Sequence, residues 1–155
     1  MHGALDTADS FVTGGNQSLG IALADQGYDV WIGNYRGNRY NRRHVRLNPD
    51  NDPEFWNFTF HEIGYYDLPA NIDYILNKTG QTQLSAIGFS LGTTIFYVLG
   101  STRQEYNEKI KIFISLAPIA QFKHAEPPVQ YLTPAYRLLV KPFDSNLLHQ
   151  GQREM

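Results

Sequence analysis

The sequence predicts an α/β fold in which helices flank a parallel sheet, and three observations predict it. Segments of helical and strand periodicity alternate over residues 1–120 as helix, strand, helix, strand, helix, strand, the order that sets parallel strands side by side with crossover helices between them. Gly27 and Gly80 stand where the first two helical patterns stop, and glycine readily adopts the left-handed conformation that ends a helix. The third observation is Gly88-Phe89-Ser90-Leu91-Gly92, a GxSxG sequence placed where an apolar strand pattern turns directly into a helical one. In that context it reads as a nucleophile elbow. The turn strains the backbone, lifts the serine hydroxyl above the end of the sheet and leaves room only for small residues at Gly88 and Gly92.

Taken in order, Met1-His2-Gly3-Ala4-Leu5 opens with an HG pair and no strand pattern before it. Gly14-Gly15 leads to Asn16, a good N-cap, and Leu19, Ala22 and Leu23 recur at helical spacing, so a short helix is predicted over roughly 17–26. Residues 28–33, Tyr-Asp-Val-Trp-Ile-Gly, alternate and are rich in β-formers, which predicts a strand. Residues 34–60 hold three turn signals and no sustained period and are predicted to be a long loop. Asp67-Leu68-Pro69-Ala70 predicts a helix start with Asp67 as N-cap, and Leu68, Ile72, Ile75 and Leu76 form its apolar face. The elbow strand is predicted over 84–89, the elbow helix from 91 to about 101, and a buried strand over 111–118. Beyond residue 120, Pro127, Pro128, Pro134 and Pro142 interrupt an apolar stretch. Residues 1–120 are thus expected to carry the core, and 121–155 the start of a lid or a frayed tail.

Composition narrows the function classes. A chain of 155 residues with 42% hydrophobic and 14% aromatic content buries one ordinary core. A net charge of −2 gives no electrostatic basis for binding nucleic acid, and the basic cluster from Arg36 to Arg46 is interleaved with Asn and Tyr, as in a solvated loop. No apolar run is long enough for a transmembrane segment, and no charged-then-apolar leader is visible in the chain as given. The absence of cysteine excludes disulfides, thiolate chemistry and cysteine zinc sites. Glycosylation acceptor triplets begin at Asn16, Asn57 and Asn77. They hint at the secretory route, and they read equally well as polar turn and cap residues.

Several separated motifs then occur in a fixed order: His2-Gly3, Ala24-Asp25-Gln26-Gly27-Tyr28-Asp29-Val30-Trp31, Gly33-Asn34 with Arg36-Gly37-Asn38, Glu54-Phe55-Trp56, Tyr66-Asp67-Leu68-Pro69-Ala70, Thr79-Gly80-Gln81 and Leu116-Ala117-Pro118. With the elbow, they resemble the acid lipases of the α/β-hydrolase fold, the gastric and lysosomal lipases and their insect lipase 3-like relatives. The resemblance covers roughly residues 2–120 and implies hydrolysis of triacylglycerols or cholesteryl esters by a Ser-Asp-His triad. It also implies contact with a lipid interface, no cofactor or metal, and a secreted or lysosomal, glycosylated enzyme. Carried onto this sequence, it makes Ser90 the nucleophile and the backbone N–H groups of Ala4 and Leu91 the oxyanion hole. The chain departs from the family pattern at Phe89, Leu91 and Ala4, where His, Gln and Leu are usual.

The resemblance further implies a partial α/β-hydrolase fold lacking N- and C-terminal strands. The family's acid and base lie beyond the lid, and a family strand runs directly into His2-Gly3, between the strand at 28–33 and the elbow strand. The expectation is a fragment of a longer reading frame with Met1 internal to it. The alternative is a catalytically inactive homologue that acts as a lipid-binding or interaction module. His2 reads as a buried organiser of its loop rather than a catalytic base, His44 and His61 as surface or loop residues, and Asp144 with His149 as a poor substitute dyad. The aromatic run Phe55, Trp56, Phe58, Phe60, Tyr65 and Tyr66 reads as packing of the long loop rather than a lipid-facing stripe.

Overall fold

The computed structural model describes residues 1–120. They contribute to two compact units, one formed by Met1–Arg42 with Phe60–Ile119 and a second that includes Arg43–Thr59. The lid or tail expected over 121–155, with His124, Asp144 and His149, lies outside the described residues.

The larger unit is built on two parallel strands. β1 (Leu84–Phe89) pairs with β2 (Ile110–Leu116), placing Ala86 opposite Phe113 and Phe89 opposite Leu116. A parallel pair needs a crossover that returns the chain to the same end, and here it is the helix α4 (Leu91–Thr102) followed by a 3-10 turn, Gln104–Lys109. α4 holds because the side chains of its inner side are apolar or, for Thr93 and Thr94, hydrogen-bonded hydroxyls. Ile95 and Leu99 are fully buried, each stabilising the fold by about 1.5–3 kcal/mol. The Phe96 ring lies 4.5 Å from that of Phe113. This is the parallel α/β arrangement the alternating pattern predicts. β2 itself differs from expectation. Phe113 packs against α4 and is half-buried, but Ile112 and Ile114, on the opposite face, are 53% and 45% exposed, so the strand is covered on one side only and is nowhere fully buried.

α1 (Leu19–Asp25) falls within the predicted 17–26 and is stopped by Gly27 at φ 86°. Its N-cap is Ser18, not Asn16, which lies in the 3-10 turn Gly15–Gln17. The helix α3 (Leu68–Thr79) buries Leu68 and Ile72 and ends at Gly80 with φ 68°. Its beginning corrects the sequence reading. Helical structure starts earlier, with α2 (Phe60–Glu62) and a π-helical turn, Ile63–Asp67, that run into α3. Asp67 is therefore inside a helix and makes no capping bond. Its carboxylate instead accepts from the backbone N–H of Arg36 at 2.9 Å and from the guanidinium at 2.5–3.0 Å. The wider π turn puts Gly64 against α4, where an added Cβ would stand 2.7 Å from both the Ile95 carbonyl oxygen and Val98 Cβ.

Residues 28–33 do not form the predicted strand. A strand requires a ladder partner, and between this segment and β1 lies a cleft of about 590 Å³, lined on one side by Tyr28, Trp31 and Gly33, on the other by Ser85 and Ile87, and along α3 by Ile75 and Leu76. Among the described residues, Met1 alone reaches into that lane. Its amino group donates to the Ile87 carbonyl at 2.6 Å and its carbonyl accepts from the Phe89 N–H at 3.0 Å, the bonding of one residue in a parallel ladder on the edge of β1 away from β2.

In the second unit, Phe55, Trp56 and Phe58 are buried, with Phe55 and Trp56 edge-to-face at 4.9 Å and the Trp56 indole donating to the Pro49 carbonyl at 2.8 Å. These three aromatics pack the loop, as expected of them. No helix among the described residues is long and apolar enough to cross a membrane.

The Gly64 contact gives a stability test. In an open helix Gly→Ala stabilises by up to about 1 kcal/mol, but here the added methyl meets a carbonyl and a β-branched side chain. Overpacking of this kind costs roughly 1–3 kcal/mol, so Gly64→Ala is expected to lower the urea midpoint. A midpoint that rises instead would show that the helices separate freely at this contact.

Candidate active site

Ser90 joins β1 to α4 with φ 53° and ψ −119°, a conformation that L-residues adopt only when the surroundings enforce it. Three bonds do so. The Ser90 N–H donates to the Leu116 carbonyl at 2.9 Å, extending the β1–β2 pairing past the end of β1, and the Ser90 carbonyl accepts from the N–H of Thr93 at 2.8 Å and from its hydroxyl at 2.7 Å. The same Thr93 hydroxyl accepts from the Ile119 N–H at 3.0 Å, tying the segment after β2 to the elbow. Gly88 and Gly92 are the small flanks that the turn demands. A Cβ on Gly88 would lie 2.7 Å from the Gly92 carbonyl oxygen, and one on Gly92 would collide with the carbonyl oxygens of Met1 and His2.

The HG loop lies against this turn. Gly3 is so close that a Cβ there would be 3.3 Å from Ser90 Cβ and 3.4 Å from the Phe89 ring. Gly3 is buried and Ala4 is exposed, so the loop passes from the interior to the surface beside the serine. Leu91 begins α4, where the first N–H groups of a helix have no partner within it and carry the positive end of the helix dipole. The structure thus brings Ser90, the Gly3-Ala4 segment and the start of α4 close to one another. Around them, Leu5 is 70% and Phe89 40% exposed.

His2 is fully buried and stacked on Tyr35 with ring centroids 4.1 Å apart. Its Nδ1 is 2.8 Å from the Gly3 carbonyl oxygen and its Nε2 is 3.2 Å from Asn38 Nδ2. A carbonyl only accepts and an amide NH₂ only donates, so Nδ1 carries the hydrogen and Nε2 accepts. Both ring nitrogens are engaged, and His2 has none left to take a proton from Ser90. Burial holds its pKa below the ordinary histidine value, consistent with a neutral ring. Burial likewise pushes the Tyr35 phenol above its ordinary range, with the nearby Asp6 charge adding to the effect, so its hydroxyl stays a donor, to the Gly3 carbonyl at 2.7 Å. Tyr35 and Asn38 received no role from sequence. Asn38 was visible there only as part of the Gly33-Asn34 and Arg36-Gly37-Asn38 motif, in which Asn34 and Asn38 flank a left-handed glycine, Gly37.

His61 is exposed and stacks on Tyr65 at 5.7 Å, and His44 is exposed with Nδ1 accepting from the N–H groups of Arg46 and Leu47. Asn16, Asn57 and Asn77 are all exposed. Among the described residues no group of three or more His, Cys, Asp or Glu side chains is placed to hold a metal ion.

Comparison with known proteins adds to this geometry. Residues 1–146 match the family model described as alpha/beta hydrolase fold. The chain is 44% identical over 150 residues to lipase member K of Homo sapiens, covering 96% of this chain and 37% of that protein. It is 44% identical over 146 residues to gastric triacylglycerol lipase of Mus musculus, covering 94% and 37%. With lysosomal acid lipase/cholesteryl ester hydrolase of Rattus norvegicus the identity is 47% over 129 residues, covering 83% and 32%. The chain thus spans about a third of the length of these relatives.

The neutral His2 predicts a pH dependence of stability. In the unfolded chain the ring takes up a proton near the ordinary value of about 6.5, whereas in the folded chain burial delays uptake to lower pH. The unfolded state then binds more protons through that window, so His2's contribution is complete above it and is lost as pH falls through it. Urea unfolding of the chain and of His2→Gln, compared from pH 7.5 down to 4.5, is expected to show a stability difference that shrinks toward acid. A difference independent of pH would mean that folding leaves the ionisation of His2 unshifted.

Proposed function

Because this chain belongs to the alpha/beta hydrolase fold family, we propose that it carries the nucleophile and oxyanion hole of a lipid ester hydrolase of the acid lipase type. The observation that supports this most directly is the strained backbone of Ser90 at the end of β1, with the Gly3-Ala4 segment in contact with it. The substrate class follows from the gastric and lysosomal lipases to which the chain is similar, and is a triacylglycerol or cholesteryl ester. The exposed Leu5 and Phe89 offer apolar surface next to the serine, suited to an acyl chain or a lipid interface.

In this reading Ser90 Oγ attacks the ester carbonyl carbon while its proton passes to a base, and the carbonyl oxygen becomes an oxyanion. The N–H groups of Ala4 and Leu91 stabilise that charge where it develops. Collapse of the tetrahedral intermediate breaks the bond to the alcohol, which leaves with the proton, and water then releases the fatty acid from the acyl-serine. His2 is excluded as the base by its two hydrogen bonds. No step calls for a cofactor or metal. We further place the protein in the secretory route, as a secreted or lysosomal glycoprotein, on the strength of the named relatives and the exposed acceptors Asn16, Asn57 and Asn77.

The test is reaction with a fluorophosphonate, which labels only activated serines. Labelling of the chain is expected to depend on Ser90, being lost in Ser90→Ala, and a short-chain p-nitrophenyl ester is expected to compete with it. Labelling that survives in Ser90→Ala would remove Ser90 from the role of nucleophile.

A further inference from the structure

We propose that Tyr35 and Asn38 are positioning residues that fix the oxyanion hole by holding the Gly3 carbonyl inward, so that the Ala4 N–H faces the reaction space at Ser90. This rests on the assignment of Ser90 and Ala4 made above, and it concerns side chains that touch neither substrate nor the reacting atoms.

The orientation follows from a sequence of forced choices that begins at the backbone. The N–H groups of Tyr40 and Asn41 both donate to Asn38 Oδ1, at 3.0 and 3.1 Å. A backbone N–H cannot accept, so the Asn38 amide cannot flip, and its Nδ2 must point the other way. There it donates to Asn34 Oδ1 at 2.6 Å and to His2 Nε2 at 3.2 Å. Asn34 Oδ1 also accepts from the Ala8 N–H at 3.0 Å, which fixes that oxygen in turn. His2 Nε2 therefore accepts, Nδ1 carries the hydrogen, and the ring donates to the Gly3 carbonyl. Tyr35 supplies a second donor to the same oxygen at 2.7 Å, and the Asp6 N–H closes on it at 3.3 Å. Three donors converge on one carbonyl.

A trans peptide is planar, with its C=O and N–H on opposite sides. Drawing the Gly3 oxygen inward onto His2 and Tyr35 turns the Ala4 N–H outward, on the side of the exposed Ala4. Among the described residues nothing accepts from it. An unpartnered N–H beside the serine is what an oxyanion donor must be before substrate arrives. Without the pins, the peptide would be free to rotate and the donor would be lost from the site.

The test uses the full chain, with Ser90→Ala as blank, and follows saturation kinetics of fluorophosphonate labelling. In Tyr35→Phe the ring stack is kept and only the hydroxyl is removed. The maximal labelling rate is expected to fall about tenfold or more, since misplacement of a catalytic group by an ångström costs rate steeply, while the half-saturating probe concentration stays within error. An unchanged maximal rate in a variant that melts cooperatively would overturn the proposal. Independently of any activity, ¹⁵N NMR of the wild type is expected to show His2 as the neutral Nδ1–H tautomer and the Ala4 amide exchanging freely with solvent. A His2 Nε2–H tautomer or a protected Ala4 amide would overturn the proposal even where Tyr35→Phe fails to fold. A wild type that is never labelled defeats the reading of Ser90 as nucleophile, and the NMR result then decides the positioning alone.

Discussion

The unit around the elbow depends on the bonds that hold Ser90 in a backbone conformation it would not adopt alone. A non-glycine residue in such a region costs of order 1–3 kcal/mol, and a single intramolecular hydrogen bond returns about 1 kcal/mol. One bond is not enough, and the structure applies three: to Leu116, to the Thr93 N–H and to the Thr93 hydroxyl. Because Leu116 ends β2 and Thr93 lies in the first turn of α4, the strain at one residue is shared among both strands and the crossover helix. The elbow is accordingly as stable as the β1–β2 pairing itself, and the two are expected to fail together.

The close approaches around the turn have the same origin. Gly88 and Gly92 each bring one backbone segment to within van der Waals distance of another, and Gly3 lies against Ser90 Cβ and the Phe89 ring, so that the serine, the HG loop and the start of α4 occupy a volume that side chains would fill. Gly64 does the same at a distance, letting the π turn lie on α4 next to the fully buried Ile95. α4 is therefore clamped at its first turn by the elbow and along its length by Gly64, and the orientation of its N-terminal N–H groups is set by packing as well as by the strand.

How much of this was legible in the sequence depended on how local the cause is. Ser90, Gly88 and Gly92 were legible because the elbow is five consecutive residues whose sterics are self-contained. β1, α3, α4 and the glycine stops were legible for the same reason. Residues 28–33 were not, because their alternation records a preference for pleated structure and a strand exists only where a partner completes the ladder. In place of that partner lies a cleft of about 590 Å³ into which, among the described residues, Met1 alone reaches. Asp67 was misread because Asp before Leu-Pro is a strong local cap signal, and the competing claim came from Arg36, 31 residues away. Tyr35 and Asn38 were missed for that reason too, since their bonds to Gly3 and His2 span 32 and 36 residues.

The groups that orient the HG loop are all neutral: a phenol, an amide and an uncharged imidazole. That choice has a physical logic. A buried charge at His2 would have to be compensated, since an unpaired ion in such a place is costly, and a second proton on Nε2 would face the Asn38 NH₂, a donor held in place by two backbone N–H groups. Protonation is thus opposed twice, by desolvation and by a donor set against a donor. The proton that would destabilise the fold is also the one that would break the bond between His2 and Asn38. Stability and the orientation of Ala4 are thereby coupled through the ionisation of one ring, and both are lost together once the medium is acidic enough to protonate it.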